Sequence, residues 1–218
     1  MNENTDNSSS RIISTLFEMS IFKTLFYSIK LRGLIIVGKH SRIRVKGKIL
    51  FSAGGLLIVG IDSALPGGSL VEVATGGILE ISGRVHVRKG ARITVGKSGN
   101  LSIGAGTHIG ERPVISCVDR IKIGSNCTIS WDNNIMDSDM HFIIRGGEQL
   151  KSIDPVSIGD NVWIGLGTTV LKGVTVGDWA IIGAKSLVTK DIPEGTLSVG
   201  SPTKVIATDI KWSTIPKY

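Results

Sequence analysis

A six-residue period constrains the fold of this chain more than any other feature. Between residues 158 and 188 every sixth residue is aliphatic: Ile158, Ile164, Val170, Val176, Ile182 and Val188. A small or β-branched residue follows each of the first five by four positions: Val162, Thr168, Val174, Ala180 and Ser186. A period of six fits neither an α-helix nor a simple strand alternation, so each unit must contain a strand and a corner.

Three units of a four-residue strand and a two-residue corner close a triangular coil, and such coils stack at the ordinary inter-strand spacing of ~4.8 Å. The corners need backbone conformations that Gly, Asn and Asp tolerate, and Gly159-Asp160-Asn161 and Gly177-Asp178 supply them. The chain has 28 glycines and only 5% aromatic residues, which favours short strands over a thick sandwich core. We therefore predict an all-β fold, a parallel β-helix or solenoid.

The same period is imperfect upstream and divides the chain. Aliphatic residues keep the spacing at 103–115 and 123–135, and the pattern loosens between residues 42 and 95. We predict a disordered polar tail at 1–10, a basic amphipathic helical lead-in at 11–40, a β-helix catalytic domain at 41–206 and a C-terminal tail at 207–218.

The lead-in carries apolar residues at helical spacing over residues 11–32, with basic residues between them. Residues 1–50 hold nine Lys/Arg and three Asp/Glu, so most of the net charge of +7 lies there. Two interpretations stay open: a helix packed across the end of the β-helix, or an interfacial helix attracted to anionic lipid. Because the charge belongs to this segment, we do not expect nucleic acid as a partner.

Compartment and cysteine usage give further expectations. Cys117 and Cys127 form no disulfide framework, and both are expected in the core. The chain opens without a signal-peptide pattern and has no uninterrupted apolar run near the ~18 residues that span a bilayer. We expect a cytoplasmic protein, with peripheral contact to the inner face of the plasma membrane left open.

One interruption of the repeat is a candidate active-site loop. A regular coil cannot absorb the residues between Ile135 and Ile158 in one six-residue step, so residues 136–157 must protrude as a loop. This loop contains His141, with Asp137 and Asp139 nearby.

The stretch NVWIGLGTTVLKGVTVGDWAIIGAKSLVTKDIP, followed by VGSPTKVI, resembles the hexapeptide-repeat acyltransferases, in the branch of sugar O-acetyltransferases. The segment ISWDNNIMDSDMHFI is similar to bacterial capsule and O-antigen acetyltransferases, and the likeness covers roughly residues 20–206. The resemblance implies a left-handed β-helix, a homotrimer, acetyl-CoA as co-substrate, no metal, and a carbohydrate acceptor in surface polysaccharide biosynthesis.

The resemblance also implies roles for individual residues. His141 matches the loop histidine that acts as general base, with Asp139 favoured and Asp137 as the alternative carboxylate beside it. Leu166, where galactoside acetyltransferases have serine, matches the residue whose backbone N–H holds the oxyanion. Trp163 would wall the acceptor or thioester site, or pack as an aromatic residue on the edge of a coil. Trp131 would either wall the substrate site or pack in the core beneath the active-site loop. The positions that match a coenzyme A site are Gly165, Leu166, Gly183, Ala184, Thr189, Lys190 and Lys204, the last replacing an arginine.

Other functions were weighed against this one. A xenobiotic acetyltransferase shares the histidine mechanism, and a non-catalytic solenoid scaffold needs no loop histidine. A γ-type carbonic anhydrase needs three imidazoles around zinc, two of them close together in the sequence, whereas the histidines here are all far apart in the chain. His40, His86 and His108 are therefore expected to be corner or surface residues.

Overall fold

The computed structural model describes residues 19–52, 54–61 and 66–213. They form one helix, α1 (Ile21–Leu31), followed by short strands. The predicted disordered tail at 1–10 and the first part of the predicted lead-in lie outside the described residues, as do residues 214–218.

Three parallel sheets form the faces of a triangular prism. Sheet 1 contains β1 (Leu34–Val37), β4 (Leu56–Val59), β7 (Arg84–Val87), β10 (His108–Ile109), β13 (Thr128–Ile129), β18 (Trp163–Ile164), β21 (Ile181–Ile182), β23 (Leu197–Val199) and the antiparallel β24 (Lys204–Ala207). Sheet 2 contains β2 (Arg42–Val45), β5 (Leu70–Val73), β8 (Arg92–Val95), β11 (Val114–Cys117), β14 (Asn134–Met136), β19 (Thr169–Val170) and β22 (Leu187–Val188). Sheet 3 contains β3 (Lys48–Phe51), β6 (Ile78–Ile81), β9 (Asn100–Ile103), β12 (Arg120–Ile123), β17 (Val156–Ile158) and β20 (Thr175–Val176).

The six-residue period places successive anchors on successive faces. Ile158 lies in sheet 3, Ile164 in sheet 1 and Val170 in sheet 2, and all six predicted anchors are buried. The strand register places equivalent aliphatic residues of successive coils on top of one another: Ile129 pairs with Ile164, and Ile164 pairs with Ile182. The core is therefore a set of aliphatic columns along the prism, and the prediction of a parallel β-helix is confirmed.

The β-helix begins earlier than the predicted boundary at residue 41. Strand β1 pairs in parallel with β4, and Ile35 and Val37 are fully buried. In these first coils Leu34 pairs with Leu56, and Arg42 pairs with Leu70. Each such coil takes more residues than the three six-residue units of the regular repeat, which is why the period is hard to see in this part of the sequence.

The predicted loop at 136–157 is an ordered β-hairpin that leaves the prism between sheets 2 and 3. Its strands β15 (Ile144–Arg145) and β16 (Glu148–Gln149) are antiparallel and joined by two glycines with positive φ. Nearer the prism, Asp139 N donates to Ser152 O and Asp154 N donates to Asp137 O. We call residues 137–155 the arm.

Helix α1 and the C-terminal segment cover the two ends of the prism. The helix lies against β1, the edge strand of sheet 1. At the other end β24 turns back antiparallel on β23, and the following residues run along the coils to Trp212, whose indole N–H donates to Asn161 O. No helix among the residues described is long and apolar enough to cross a bilayer.

Truncating one anchor should destabilise the whole prism. Ile121 is fully buried in β12, and the next residue, Lys122, points outward on the same strand. We expect Ile121→Ala to lower the free energy of unfolding by about 2–5 kcal/mol, the cost of a buried cavity. Chemical denaturation would measure it, with Lys122→Ala as the matched control. Equal effects of the two substitutions would contradict the inward assignment of Ile121.

Candidate active site

A cleft of about 690 Å³ lies on the outer surface of sheet 1 and on the corner that leads to sheet 2. We call the stacked turns between these sheets (residues 130–133, 165–168 and 183–186) the first corner. Trp131, Trp163 and Leu166 line the cleft, and they are three residues that the sequence predicted for the site. A concave, mostly apolar site with a few polar groups is the usual form of a small-molecule or glycan site.

Neighbouring residues position the two predicted tryptophans, Trp131 and Trp163. Trp163 points outward from β18 because its neighbour Ile164 points into the core, and its indole N–H donates to Ser130 Oγ at 3.4 Å. A Cβ on Gly110 would lie 2.7 Å from Trp131 Cδ1, so glycine at this position leaves room for the indole ring. Both rings keep about half of their surface exposed, which leaves them available to a ligand.

The backbone of the first corner carries an unused donor. Leu166 O accepts Lys185 N at 2.7 Å, and Gly167 N donates to Trp131 O at 2.8 Å. Within the described part of the chain, the N–H of Leu166 has no acceptor. A free main-chain N–H beside a cleft is the kind of group that an oxyanion site requires.

The predicted coenzyme A residues fall into two groups. Gly165, Leu166, Gly183 and Ala184 stack at the first corner, where a Cβ on Gly165 would lie 2.6 Å from Ala184 N. The remaining three residues are exposed elsewhere: Thr189 and Lys190 after β22, and Lys204 at the start of β24. Within one chain only Leu166 of these seven residues lines the cleft, and the basic residues lie outside it.

His141 lies on the arm and is exposed. Its Nδ1 is 3.3 Å from the backbone carbonyl oxygen of Asp139. A carbonyl oxygen can only accept, so this hydrogen bond requires the proton on Nδ1 and leaves the lone pair on Nε2. The imidazole is then in the tautomer that a general base needs.

The two aspartates near His141 have different partners. The carboxylate of Asp139 forms an ion pair with Lys172 Nζ at 2.9 Å, so it is the main-chain carbonyl of this residue that contacts the imidazole. Asp137 is fully buried, and its carboxylate accepts the backbone N–H groups of Val118, Asp119 and Arg120, each at 2.8 Å. This corrects the assignment of Asp137 as an alternative partner of His141, because its carboxylate is occupied in fixing the base of the arm.

Within one chain His141 does not line the cleft. Leu166 stands at the first corner, between sheets 1 and 2, whereas the arm leaves the prism between sheets 2 and 3. His141 and Leu166 therefore lie at different corners of one prism.

Several cleft residues were not predicted as site residues. His108 lines the cleft, and its ring packs edge-on against His86 with centroids 5.0 Å apart. The two histidines are paired in register on β7 and β10, so their separation by one coil length was the available signal that they are neighbours. Arg88 and Trp212 also line the cleft, the latter with its ring 6.1 Å from that of Trp163. Trp212 comes from beyond the repeat, where no periodic signal exists.

The cysteines take no part in this arrangement. Burial raises the pKa of the Cys117 thiol to about 12 and that of the Cys127 thiol to about 11. Both thiols therefore stay protonated and weakly nucleophilic at neutral pH, as core residues. Among the residues described, no group of three His, Cys, Asp or Glu side chains is placed to hold a metal ion.

Comparison with known proteins agrees with the repeat and the fold. The family model for the bacterial transferase hexapeptide (six repeats) matches residues 155–190. A polysialic acid O-acetyltransferase from Neisseria meningitidis is 36% identical over 56 residues, a stretch that spans 25% of this chain and 26% of that protein. The match thus covers about a quarter of the relative's length.

Two solved structures extend the likeness to most of the chain. The polySia-specific acetyltransferase NeuO is 27% identical, with a TM-score of 0.57, over 82% of this chain and 84% of its own. The polysialic acid O-acetyltransferase OatWY shares the fold at 24% identity, with a TM-score of 0.64, over 81% of this chain and 89% of its own. The predicted left-handed parallel β-helix is confirmed.

The contrast between the two arm aspartates can be tested by stability. We expect Asp137→Ala to lower the free energy of unfolding by about 3 kcal/mol, because three N–H groups lose their acceptor. Asp139→Ala, which removes a partly exposed ion pair with Lys172, should cost no more than about 1 kcal/mol. Urea denaturation would measure the free energy of unfolding of both variants. A larger loss for Asp139→Ala than for Asp137→Ala would contradict the assignment of Asp137 as the residue that anchors the arm.

Proposed function

Because the chain has the repeat and the fold of the hexapeptide-repeat O-acetyltransferases, we propose that it transfers an acetyl group from acetyl-CoA to a carbohydrate hydroxyl. The acceptor is a glycan of a capsule, an O-antigen or another surface polysaccharide. The observation that carries this proposal is the arm histidine, whose Nδ1 is held by a backbone carbonyl and whose Nε2 is left to act as a base.

The reaction needs a base and an oxyanion donor. His141 Nε2 removes the proton of the acceptor hydroxyl as its oxygen attacks the thioester carbonyl. The carbonyl oxygen becomes an oxyanion, which the unused N–H of Leu166 stabilises. The C–S bond then breaks, the coenzyme A sulfur takes the proton from the imidazolium, and the acetyl ester remains on the sugar.

The cleft suits a sugar acceptor. The indole rings of Trp131, Trp163 and Trp212 offer flat apolar surfaces for the C–H faces of a sugar ring. Ser130 and Arg88 add hydroxyl and guanidinium donors on the same surface. Polysialic acid, the acceptor named for the similar acetyltransferases, belongs to this class of polyhydroxylated polymers.

A homotrimer would complete the site. Because His141 and Leu166 lie at separate corners of one prism, we infer that the arm of one subunit reaches the first corner of its neighbour. The arm carries the exposed side chains Met140, Phe142 and Ile144, between 67% and 72% exposed, which a neighbouring prism would cover. A C3 axis repeats this contact three times, and the exposed Lys190 and Lys204 are the basic residues proposed for the coenzyme A phosphates.

Removing the proposed base should stop turnover without unfolding the protein. We expect His141→Ala to lower kcat at least ~100-fold, the scale of general-base catalysis. The measurement is incubation with acetyl-CoA and a panel of bacterial glycans, read by mass for the gain of one acetyl group. His40→Ala, at an exposed histidine of the first coil, is the matched control. Turnover of His141→Ala near that of the wild type would contradict the mechanism.

The same panel separates the rival functions. Acetylation of small antibiotics in preference to glycans would indicate a xenobiotic acetyltransferase. Absence of transfer to every acceptor, with an intact trimer, would indicate a scaffold.

A site shared between subunits makes a further prediction. His141→Ala and Trp163→Ala should each be nearly inactive alone, but co-expressed chains should form some sites with an intact arm beside an intact first corner. With equal, random mixing, one half times one half of the sites are intact, so activity should recover to about a quarter of the wild type. No recovery in purified mixed trimers would place both residues in one chain.

A further inference from the structure

Helix α1 presents its apolar side chains to solvent. Ile21, Phe22, Leu25, Phe26 and Ile29 are between 49% and 80% exposed, and Phe22 and Ile29 are the most exposed. A surface helix normally turns such a face toward the core. We call these five side chains the apolar stripe, and a continuous exposed apolar patch of this kind marks an interaction surface.

The opposite face of the helix holds it to the prism, through the hydroxyls of Thr24 and Ser28 and through the partly buried Tyr27 and Leu31, which pack against the core. Strand β1 is the edge of sheet 1, and its N–H groups need acceptors that no further strand provides. Thr24 Oγ1 accepts Val37 N at 3.1 Å, and Ser28 Oγ accepts Ile35 N at 3.1 Å and donates to Ile35 O at 3.2 Å. These hydrogen bonds, together with the packing of Tyr27 and Leu31, therefore turn the apolar stripe outward.

The surroundings of the apolar stripe are strongly basic. Residues 19–52 contain no Asp or Glu and eight basic residues: Lys23, Lys30, Arg32, Lys39, Arg42, Arg44, Lys46 and Lys48. All of these except Lys23 are exposed, and Lys23 Nζ is bound to the carbonyl oxygens of Lys39 and Ser41. This charge would repel the same surface of a second copy, whereas it complements the phosphates of anionic lipids.

We propose that α1 lies in the headgroup region of an anionic bilayer, with the apolar stripe inserted and the basic residues of the first coil at the lipid phosphates. Its 11 residues are about 16 Å long, which suits an orientation in the plane of the interface. Binding of one such helix is weak, because apolar burial and charge attraction must both contribute. In the proposed trimer, a C3 axis would place three copies of α1 at the same end, so their affinities would combine.

Vesicle sedimentation of the full-length protein tests this proposal. The vesicles are phosphatidylcholine alone, and phosphatidylcholine with phosphatidylglycerol at about 7:3. The wild type should bind the anionic vesicles, and added salt should weaken the binding. The double variant Phe22→Gln/Phe26→Gln should bind at least about tenfold more weakly.

Two further variants separate charge from apolar contact. Lys30→Gln/Arg32→Gln should lower binding to the anionic vesicles about fivefold per charge removed. Leu50→Gln, at an exposed aliphatic residue on sheet 3 of the first coil, is the matched control and should bind as the wild type does. Circular dichroism checks that each variant is folded, and acetyl transfer to a soluble glycan checks the site separately, so failure of one proposal does not depend on the other.

Two results would overturn the proposal. One is wild-type protein that does not bind the anionic vesicles, or that binds them as well after the two phenylalanines are replaced. The other is a loss of oligomer mass in Phe22→Gln/Phe26→Gln without vesicle binding by the wild type, which would assign the apolar stripe to a contact between copies of the chain.

Discussion

Every turn of the chain must bury one aliphatic side chain on each face of a narrow prism, and the rest of the structure depends on this burial. The column Ile129, Ile164 and Ile182 shows its form: each side chain stacks on its counterpart in the next coil. Backbone N–H groups are satisfied by the carbonyls of the next coil, as when Gly165 N donates to Ile182 O. Because these contacts occupy the inward positions, outward positions and corners are free to carry chemistry.

The candidate site uses those free positions. Trp163 alternates with the buried Ile164 on one strand, and Leu166 follows on the corner with its N–H unused. The arm is the larger departure from regularity, and a buried carboxylate secures it: Asp137 gathers three backbone N–H groups where the arm leaves the prism. These three hydrogen bonds tie the base of the arm to the prism, and His141 lies four residues further along the chain.

The sequence predicted the repeat and its main interruption, and it missed features that lie outside any period. The anchors from Ile158 to Val188 and the arm with His141 were visible because a period, or its interruption, marks them. In the coils before residue 95 the greater length of each coil hides the six-residue period. The sequence therefore predicts a start of the β-helix at residue 41, whereas the first strand begins at Leu34.

The remaining differences between prediction and structure depend on hydrogen-bond and ion-pair partners, which the sequence does not reveal. Asp137 and Asp139 look equivalent in the sequence, and only their hydrogen bonds separate a buried support from an exposed neighbour of His141. The direction of α1 was also undetermined, because an amphipathic pattern does not say which face meets the protein; the hydroxyls of Thr24 and Ser28 decide it by satisfying an edge strand.

Because each coil adds one strand spacing along the prism axis, the position of a residue in the sequence determines its distance from α1 along that axis. From β1, beneath α1, to β18, beside Leu166, sheet 1 advances by five strand spacings, or about 24 Å. If α1 rests on a lipid surface as we propose, the cleft would stand at a fixed height above that surface. A glycan anchored in the same lipid would then reach the cleft only with sugars distant from its anchor, and inserting or deleting one coil would move the modified position along the polymer.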